Sequence, residues 1–208
     1  VRPAGWLRRQ LEIQAAGLSG HLDEFWPDIR DSGWIGGTAE GWERAPYWLD
    51  GLVPLAFLLE DDELVAKVDR WMAHIIEHQA DDGWLGPQSQ EQQGFHSQRD
   101  PWPLFVMLKV LTQYAEARGE DAPGGRTYDA ISRCLRAINT HIDRRPLFDW
   151  NQYRWADLLV TILWCRSRAA EPWLDELAER IHNQGYDWRA HFVRFPFTGR
   201  SDRWTFDR

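Results

Sequence analysis

Cysteine is scarce in this sequence. The two thiols, Cys134 and Cys165, lie far apart within apolar stretches, and neither has a second cysteine near it. That spacing indicates neither a disulfide framework nor a zinc ribbon, and small buried side chains are the plainer interpretation. His74 and His78 have the i, i+4 spacing of a possible metal-ligand pair, but their position on an amphipathic helix favours a solvated surface. The sequence therefore predicts no cofactor held by residues of this chain.

Runs of basic residues and long apolar runs are also lacking. The net charge is -8, and no cluster of Lys and Arg could neutralise a phosphate backbone, which argues against a nucleic-acid partner. No stretch approaches the roughly 18 apolar residues that a membrane span needs, and the start, VRPAGWLRRQ, has no apolar signal region. We predict a soluble chain without a membrane partner. Its localisation stays open, because an export signal can be removed.

Tryptophan is abundant by contrast, with 14 residues in a chain of 208. Indole faces stack on sugar rings and on other flat or apolar ligands, so this number favours a binding function. The hydrophobic content of 43% is sufficient for one sizeable core. We therefore expect residues 1–208 to belong to a single domain without an internal boundary.

Apolar residues recur with helical periodicity, and no convincing strand alternation is present. The pattern predicts seven helices, at about residues 6–18, 45–59, 62–79, 102–117, 127–142, 152–164 and 172–182. Three long connections separate or follow them, at residues 19–40, 80–101 and 186–208. The second helix contains Gly51 and Pro54, which predict a bend.

The predicted helices alternate between broadly apolar and amphipathic, and the apolar ones recur about every 50 residues. Buried inner helices, outer helices with one wet face and long loops gathered at one end are typical of an all-α, (α/α) toroid of helical hairpins. A closed six-hairpin toroid needs about twelve helices, so seven correspond to about half of an (α/α)6 barrel. An open α-solenoid is the alternative, although it would leave an apolar wall exposed.

The ligand site of such a toroid is expected where the long loops meet the first turns of the inner helices. Carboxylates, rings and an imidazole from separate repeats would suit a sugar, since hydroxyls need polar partners and the CH face of the ring needs an aromatic surface. The predicted substrate-binding residues are Trp42, Glu43, Tyr47, Asp50, Trp84, His96, Asp100, Trp102, Trp150 and Asp157.

Several of these residues also have a structural interpretation. Glu43 and Asp50 could favour a helix N-terminus through its dipole, and Asp100 has the position of an N-cap. Glycoside hydrolysis usually needs two carboxyl groups, and Glu43 with Asp157 could form such a pair. The sequence gives no distance between them, so no catalytic residue is assigned.

Four stretches carry a resemblance to a known family: WERAPYWLDGLVPLAFLLEDDEL, HIIEHQADDGWLGP, DPWPLFVMLKVLTQYAEARG and SDRWTFDR. Together they resemble the glycoside hydrolase family 127 group, typified by β-L-arabinofuranosidases. The resemblance spans nearly all of the chain but only the first half of that family's catalytic domain. It implies an (α/α)6 toroid that acts on plant or microbial glycans, with an oligosaccharide or glycoside substrate and the remainder of the same domain as partners.

The resemblance also implies a catalytic chemistry. Enzymes of this family are understood to use a cysteine thiolate held on zinc by further Cys and Glu ligands, with a glutamate as acid/base. Those motifs lie in the second half of the domain, and Cys134 and Cys165 match none of them. The chain also has WERAPYW where better-known members have Asp-rich residues, and Pro103 where they have a histidine. The expected contribution of this segment is therefore substrate-binding loops, with zinc only in the missing half.

Two other functions are weighed against this one. A non-catalytic carbohydrate-binding or scaffold α-solenoid would have the same helices and the same tryptophans. An isoprenoid cyclase-like toroid is disfavoured, because no DDxxD or DxDD cluster is present and EDDE at residues 60–63 lies at the short-loop end.

Overall fold

Helices are the only regular secondary structure in the computed structural model, which describes residues 2–87 and 99–194. This confirms the all-α class for the described part of the chain. In chain order the helices are α1 (Gly5–Ala16), α2 (Leu18–Phe25), α3 (Pro27–Arg30), a 3₁₀ turn (Gly33–Ile35), α4 (Arg44–Leu59), α5 (Asp62–Glu77), α6 (Trp102–Arg118), α7 (Arg126–Arg144), α8 (Asp149–Tyr153), α9 (Trp155–Arg168), α10 (Pro172–Gln184) and α11 (Trp188–Val193).

The apolar helices α4, α6 and α9 form an inner row, in which α6 packs against both α4 and α9. Helix α6 is apolar on most sides, and its residues from Trp102 to Leu108 are all buried. Such a helix is stable only when neighbours cover it all round. The inner row therefore forms the centre of the hydrophobic core.

The amphipathic helices α5, α7 and α10 form an outer row, each packed against the inner helix that precedes it. In α7 the buried stripe includes Ile131, Leu135, Ile138 and Ile142, whereas the intervening arginines face solvent. Three inner–outer hairpins result, as the periodicity predicts.

The ends of the helices follow from local sequence. Asp61 caps α5, because its side chain accepts hydrogen bonds from the backbone N–H groups of Glu63 and Leu64 at 3.1 and 3.0 Å. Glu60 adopts a left-handed conformation with φ of 56°, which reverses the chain after α4. Two residues therefore suffice to join an inner helix to its outer partner.

The connection predicted for residues 19–40 is wrong in its first half, where α2 and α3 are found. Both helices are too short for periodicity to reveal them. The first predicted helix also divides at Gly17, where one helix ends and the next begins. Lys67 of α5 holds this region in place, since its Nζ donates to the Gly20 carbonyl at 2.7 Å and to Asp23 Oδ1 at 2.6 Å.

The tail predicted as a loop from residue 186 is also wrong at its start, where α11 lies. The Asp187 side chain accepts a hydrogen bond from the Ala190 N–H at 2.8 Å, and Tyr186 and Trp188 pack on Tyr153 of α8. A local cap together with distant aromatic contacts stabilises a helix of only six residues. The part of the prediction at residues 195–208 lies outside the described residues.

Helix α9 keeps one apolar face uncovered among the described residues. Val160 and Leu163 lie one turn apart on this face, and both are exposed. None of the described helices is long and apolar enough to cross a bilayer.

Candidate functional site

The first turns of the inner helices meet at the long-loop end of the hairpins, and their side chains form a connected rim. Trp42 Nε1 donates to Asp100 Oδ2 at 2.9 Å, and Asn151 Nδ2 donates to Asp100 Oδ1 at 3.0 Å. These three residues precede α4, precede α6 and belong to α8, respectively. Two predicted site residues, Trp42 and Asp100, therefore meet in one place in the fold, together with Asn151.

A second link across the rim joins Glu43 to Trp102. The indole Nε1 of Trp102 donates to Glu43 Oε2 at 2.6 Å, and the ring lies 6.3 Å from that of Tyr47. Trp102 is only 1% exposed, so in this structure its ring is a wall of the rim and not an open stacking surface. Arg154 lies over the same ring at 5.2 Å.

Asp100 combines two of the roles that the sequence allows. Its Oδ1 accepts the backbone N–H of Trp102 at 2.9 Å, as a helix cap does, while both oxygens also bind side chains of the neighbouring repeats. Glu43 occupies the N-cap position of α4, yet its side chain makes no capping hydrogen bond. Its carboxylate instead accepts the hydrogen bond from the Trp102 indole.

The accessible part of the rim surrounds Tyr47, whose side chain is 44% exposed. Arg154 and Asp157 form an ion pair beside it, with N and O atoms 2.8 Å apart. Burial raises the pKa of the Tyr47 hydroxyl, and the charges of Glu43 and Asp157 raise it further, while Arg154 opposes them. Both predicted carboxylates therefore act on the same phenol.

A small cavity of about 70 Å³ lies next to Tyr47, between α4, α6 and the start of α9. Asp50 is at its edge, where the carboxylate accepts hydrogen bonds from Lys109 Nζ and Gln113 Nε2, both at 2.8 Å. These bonds tie α4 to α6. The cavity itself holds no more than a few water molecules, so any larger ligand must lie across the open surface of the rim.

Trp150 is the most exposed of the predicted tryptophans, at 50%. It follows Asp149, which adopts a left-handed backbone with φ of 47°, an uncommon conformation for a residue other than glycine. This turn starts α8 and presents the indole beside the buried Asn151. Trp150 is thus the predicted residue with the largest free aromatic surface.

Trp84 packs against α7. It is 5% exposed, and its ring packs 5.2 Å from that of His141 on α7. Arg99 covers the ring from 5.2 Å and pairs with Asp82. His96, the remaining predicted residue, lies outside the described residues.

Glu40 is a rim residue that the sequence prediction omitted. Its Oε1 accepts the backbone N–H of Glu43 at 2.8 Å and that of Arg44 at 3.3 Å, so Glu40 and not Glu43 caps α4. Its Oε2 is buried without a hydrogen-bond partner, and burial raises the pKa of the carboxyl group. A carboxylate five residues ahead of the predicted helix start at residue 45 is the signal that could have revealed it.

The residues present do not fit the zinc-thiolate centre that the family resemblance implies. Cys134 and Cys165 are both buried, and burial raises the pKa of each thiol to about 12, which opposes thiolate formation. No group of three or more potential His, Cys, Asp or Glu ligands occurs in the part of the chain that the structure describes. His74 and His78 stack with ring centroids 4.0 Å apart, and His78 Nδ1 binds the His74 carbonyl.

These features define the class as an all-helical protein of inner and outer helices with a polar, aromatic rim at the N-terminal ends of the inner helices. Comparison with protein-family models, with curated proteins and with solved structures found no match for this chain.

Proposed function

We propose that this chain is part of an (α/α)-toroid glycoside hydrolase, β-L-arabinofuranosidase-like in type, and that its rim binds an oligosaccharide or glycoside substrate. The observation that supports this most is the convergence of three hairpins on one rim through Trp42, Asp100 and Asn151. Sequence separations of about 50 residues place these groups on different repeats, and their hydrogen bonds bring them together.

The chemistry of the rim suits a polyhydroxylated ligand. Glu43, Asp157 and Arg154 supply charged hydrogen-bond partners beside the exposed Tyr47, and Trp150 adds a free aromatic face. Sugars need both kinds of surface, since their hydroxyls bind charged groups and their CH faces pack on rings. In this proposal Tyr47, Glu43, Arg154 and Asp157 orient the substrate.

The bond-breaking groups are assigned to residues outside this chain. The family resemblance attributes nucleophile, acid/base and zinc to the other half of the catalytic domain, and Cys134 and Cys165 do not fit that role. The remainder of the domain is therefore the proposed partner of this segment. Measuring the intact mass of the purified natural protein would test this: full glycosidase activity in a protein of 24.5 kDa would refute it.

The engagement of the carboxylates favours a second candidate, a non-catalytic carbohydrate-binding or scaffold α-solenoid. Glu43 and Asp100 accept indole N–H groups, and Asp157 pairs with Arg154, so each is held in a fixed bonding arrangement. Such groups suit ligand orientation more than proton transfer. This candidate predicts saturable sugar binding without release of a monosaccharide, even by the full-length protein.

The test of the rim uses Glu43→Gln and Trp42→Ala, with Glu12→Gln on the exposed helix α1 as the matched control. We expect each rim variant to weaken glycoside binding or turnover by about tenfold while the protein stays folded. Binding and thermal unfolding are measured on the same samples. A loss of thermal stability comparable to that of a core truncation, with unchanged affinity, would show that both residues stabilise the fold and do not bind the ligand.

A further inference from the structure

A second, larger cavity opens between the turn at residues 82–84 and the C-terminal half of α7, with a volume of about 660 Å³. Four guanidinium groups, one imidazole and one carboxylate contribute to its lining: Arg99, Arg136, Arg144, Arg145, His141 and Asp82. We name it the arginine cleft. It shares no lining residue with the cavity beside Tyr47.

One wall of the arginine cleft is fixed by a tight turn. Gly83 has a φ of +92°, and a Cβ at this position would lie 2.5 Å from the Arg133 carbonyl oxygen of α7. Gln79 Nε2 bonds both sides of this junction, donating to Gly83 O at 2.7 Å and to Ala130 O at 2.9 Å. The turn therefore holds Trp84 firmly against α7.

The lining carries more positive than negative charge. Its one carboxylate, Asp82, is already paired with Arg99, and Arg136 pairs with Glu171 at 2.7 Å. The guanidinium of Arg144 makes no hydrogen bond or ion pair within residues 2–87 and 99–194. In a chain with a net charge of -8 this concentration of cations is local and not a general property of the surface.

His141 adds an unsatisfied polar atom to the same cavity. Its Nε2 is buried and has no hydrogen-bond partner, while its ring packs against Trp84. Buried polar atoms in folded proteins are normally paired, so a lone ring nitrogen beside a cluster of guanidiniums indicates a missing partner. An anionic oxygen would accept a hydrogen bond from this nitrogen.

Compensation of the helix dipole explains part of the cluster. Arg144 and Arg145 lie at the C-terminal end of α7, where cations offset the negative end of the helix. Arg99 and Arg136 are held in the same lining by their ion pairs with Asp82 and Glu171. Neither effect supplies a partner for His141 Nε2.

We propose that the arginine cleft binds a small molecule that carries an oxyanion, held by Arg144 and by His141 Nε2, with Trp84 behind it. Guanidinium forks match the geometry of carboxylate, sulfate and phosphate groups, which share this chemistry. The volume lies within the range of small-molecule sites. The proposal does not depend on the glycosidase assignment, because the rim and the cleft have separate linings.

Calorimetric titration of the intact chain with sulfate, inorganic phosphate and glucuronate, with glucose as the neutral match for glucuronate, tests the proposal. We expect the three anions to bind saturably and glucose not to bind in the cleft. Arg144→Ala should weaken anion binding on the order of tenfold, because it removes a charge-assisted bond. Arg70→Ala, which removes an exposed arginine from α5, should leave it unchanged.

The pH dependence of binding separates a specific site from a diffuse charge effect. Burial lowers the pKa of His141, Arg145 and Arg99 lower it further, and Asp100 opposes them. A bound anion stabilises the imidazolium and raises this pKa, so binding of sulfate, whose own charge does not change in this range, takes up a proton and its affinity increases as the pH falls. His141→Gln should abolish this dependence on pH while the protein stays folded. Equal losses in Arg144→Ala and Arg70→Ala, or an unchanged pH dependence in His141→Gln, would overturn the proposal.

Discussion

At the scale of single residues, Glu40 is the rim carboxylate whose surroundings oppose its charged form. One of its oxygens caps α4, and the other is buried without a partner. Capping stabilises the charged form of a carboxyl group, whereas burial opposes it, and here burial has the larger effect on the pKa. The fold therefore keeps Glu40 at a cost in desolvation.

This arrangement predicts a dependence of stability on pH. The folded state holds the proton of Glu40 more tightly than the unfolded chain, whose ordinary pKa is 4.5. The contribution of Glu40 to the free energy of unfolding is therefore fully present below pH 4.5. It is lost as the pH rises through the higher pKa of the folded state. Glu40→Gln keeps an acceptor for the cap but cannot ionise. We expect urea unfolding at several pH values to show a smaller decline with rising pH in the variant, and parallel curves would contradict this.

At the scale of helices and turns, Lys67 is the contact that holds the N-terminal helices on α5. It is 8% exposed, and its ammonium group bonds the Gly20 carbonyl and Asp23. Because removal of Lys67 leaves a largely buried Asp23 carboxylate without its partner, we expect Lys67→Ala to lower the free energy of unfolding by about 3–5 kcal/mol.

Lys109→Ala is the matched control for Lys67→Ala, since Lys109 also pairs with an aspartate, Asp50, but is exposed. Removing an exposed ion pair should cost less than about 1 kcal/mol. Urea denaturation of both variants gives the comparison. Equal losses would mean that burial does not determine the contribution of Lys67.

Gly86 is a loop position at which any larger residue should destabilise the fold. Its φ is +82°, and a Cβ there would lie 2.6 Å from the ring of Trp34. Gly119, at the end of α6, has a similar φ of +69° but open space around it. We expect Gly119→Ala to cost about 1 kcal/mol from backbone strain alone. Gly86→Ala should cost about 1–3 kcal/mol more, because Trp34 must move. Thermal unfolding of both variants measures the difference, and equal shifts would rule out the steric contribution.

The sequence predicted the three hairpins closely because their helices are long and periodic. For example, α6 was expected at residues 102–117 and spans Trp102–Arg118. Helices of one or two turns are too short to show a repeating apolar pattern, so the sequence did not predict α2, α3 and α11. The pattern placed Glu43 and Trp102 at the same end of the fold, but their hydrogen bond joins residues 59 positions apart. Only packing of the inner helices determines such a pair.

At the scale of the whole molecule, one hydrophobic cluster includes residues from Ala15 to Ile181 and joins the three hairpins. As in a repeat protein, the hairpins are coupled through contacts between neighbours, and α6 packs against both α4 and α9. These shared contacts link the unfolding of the three hairpins. We therefore expect a single cooperative transition, in which tryptophan fluorescence and helical circular dichroism change together in urea.

A core truncation in α6 extends this test. Leu108 is fully buried, so Leu108→Ala should destabilise the protein by about 2–5 kcal/mol and move both signals to lower urea together. Two separate transitions, or a shift in one signal alone, would show that the described chain unfolds as independent units.

The position of Asp100 at the rim also has a consequence for the order of folding. Its side-chain partners Trp42 and Asn151 lie 58 and 51 residues away along the chain, whereas most helix contacts are local. Closing loops of this length costs chain entropy before any bond is gained. We expect the rim to assemble only after the hairpins have docked. Isolated hairpin fragments would therefore lack an assembled rim, whatever ligand the rim binds.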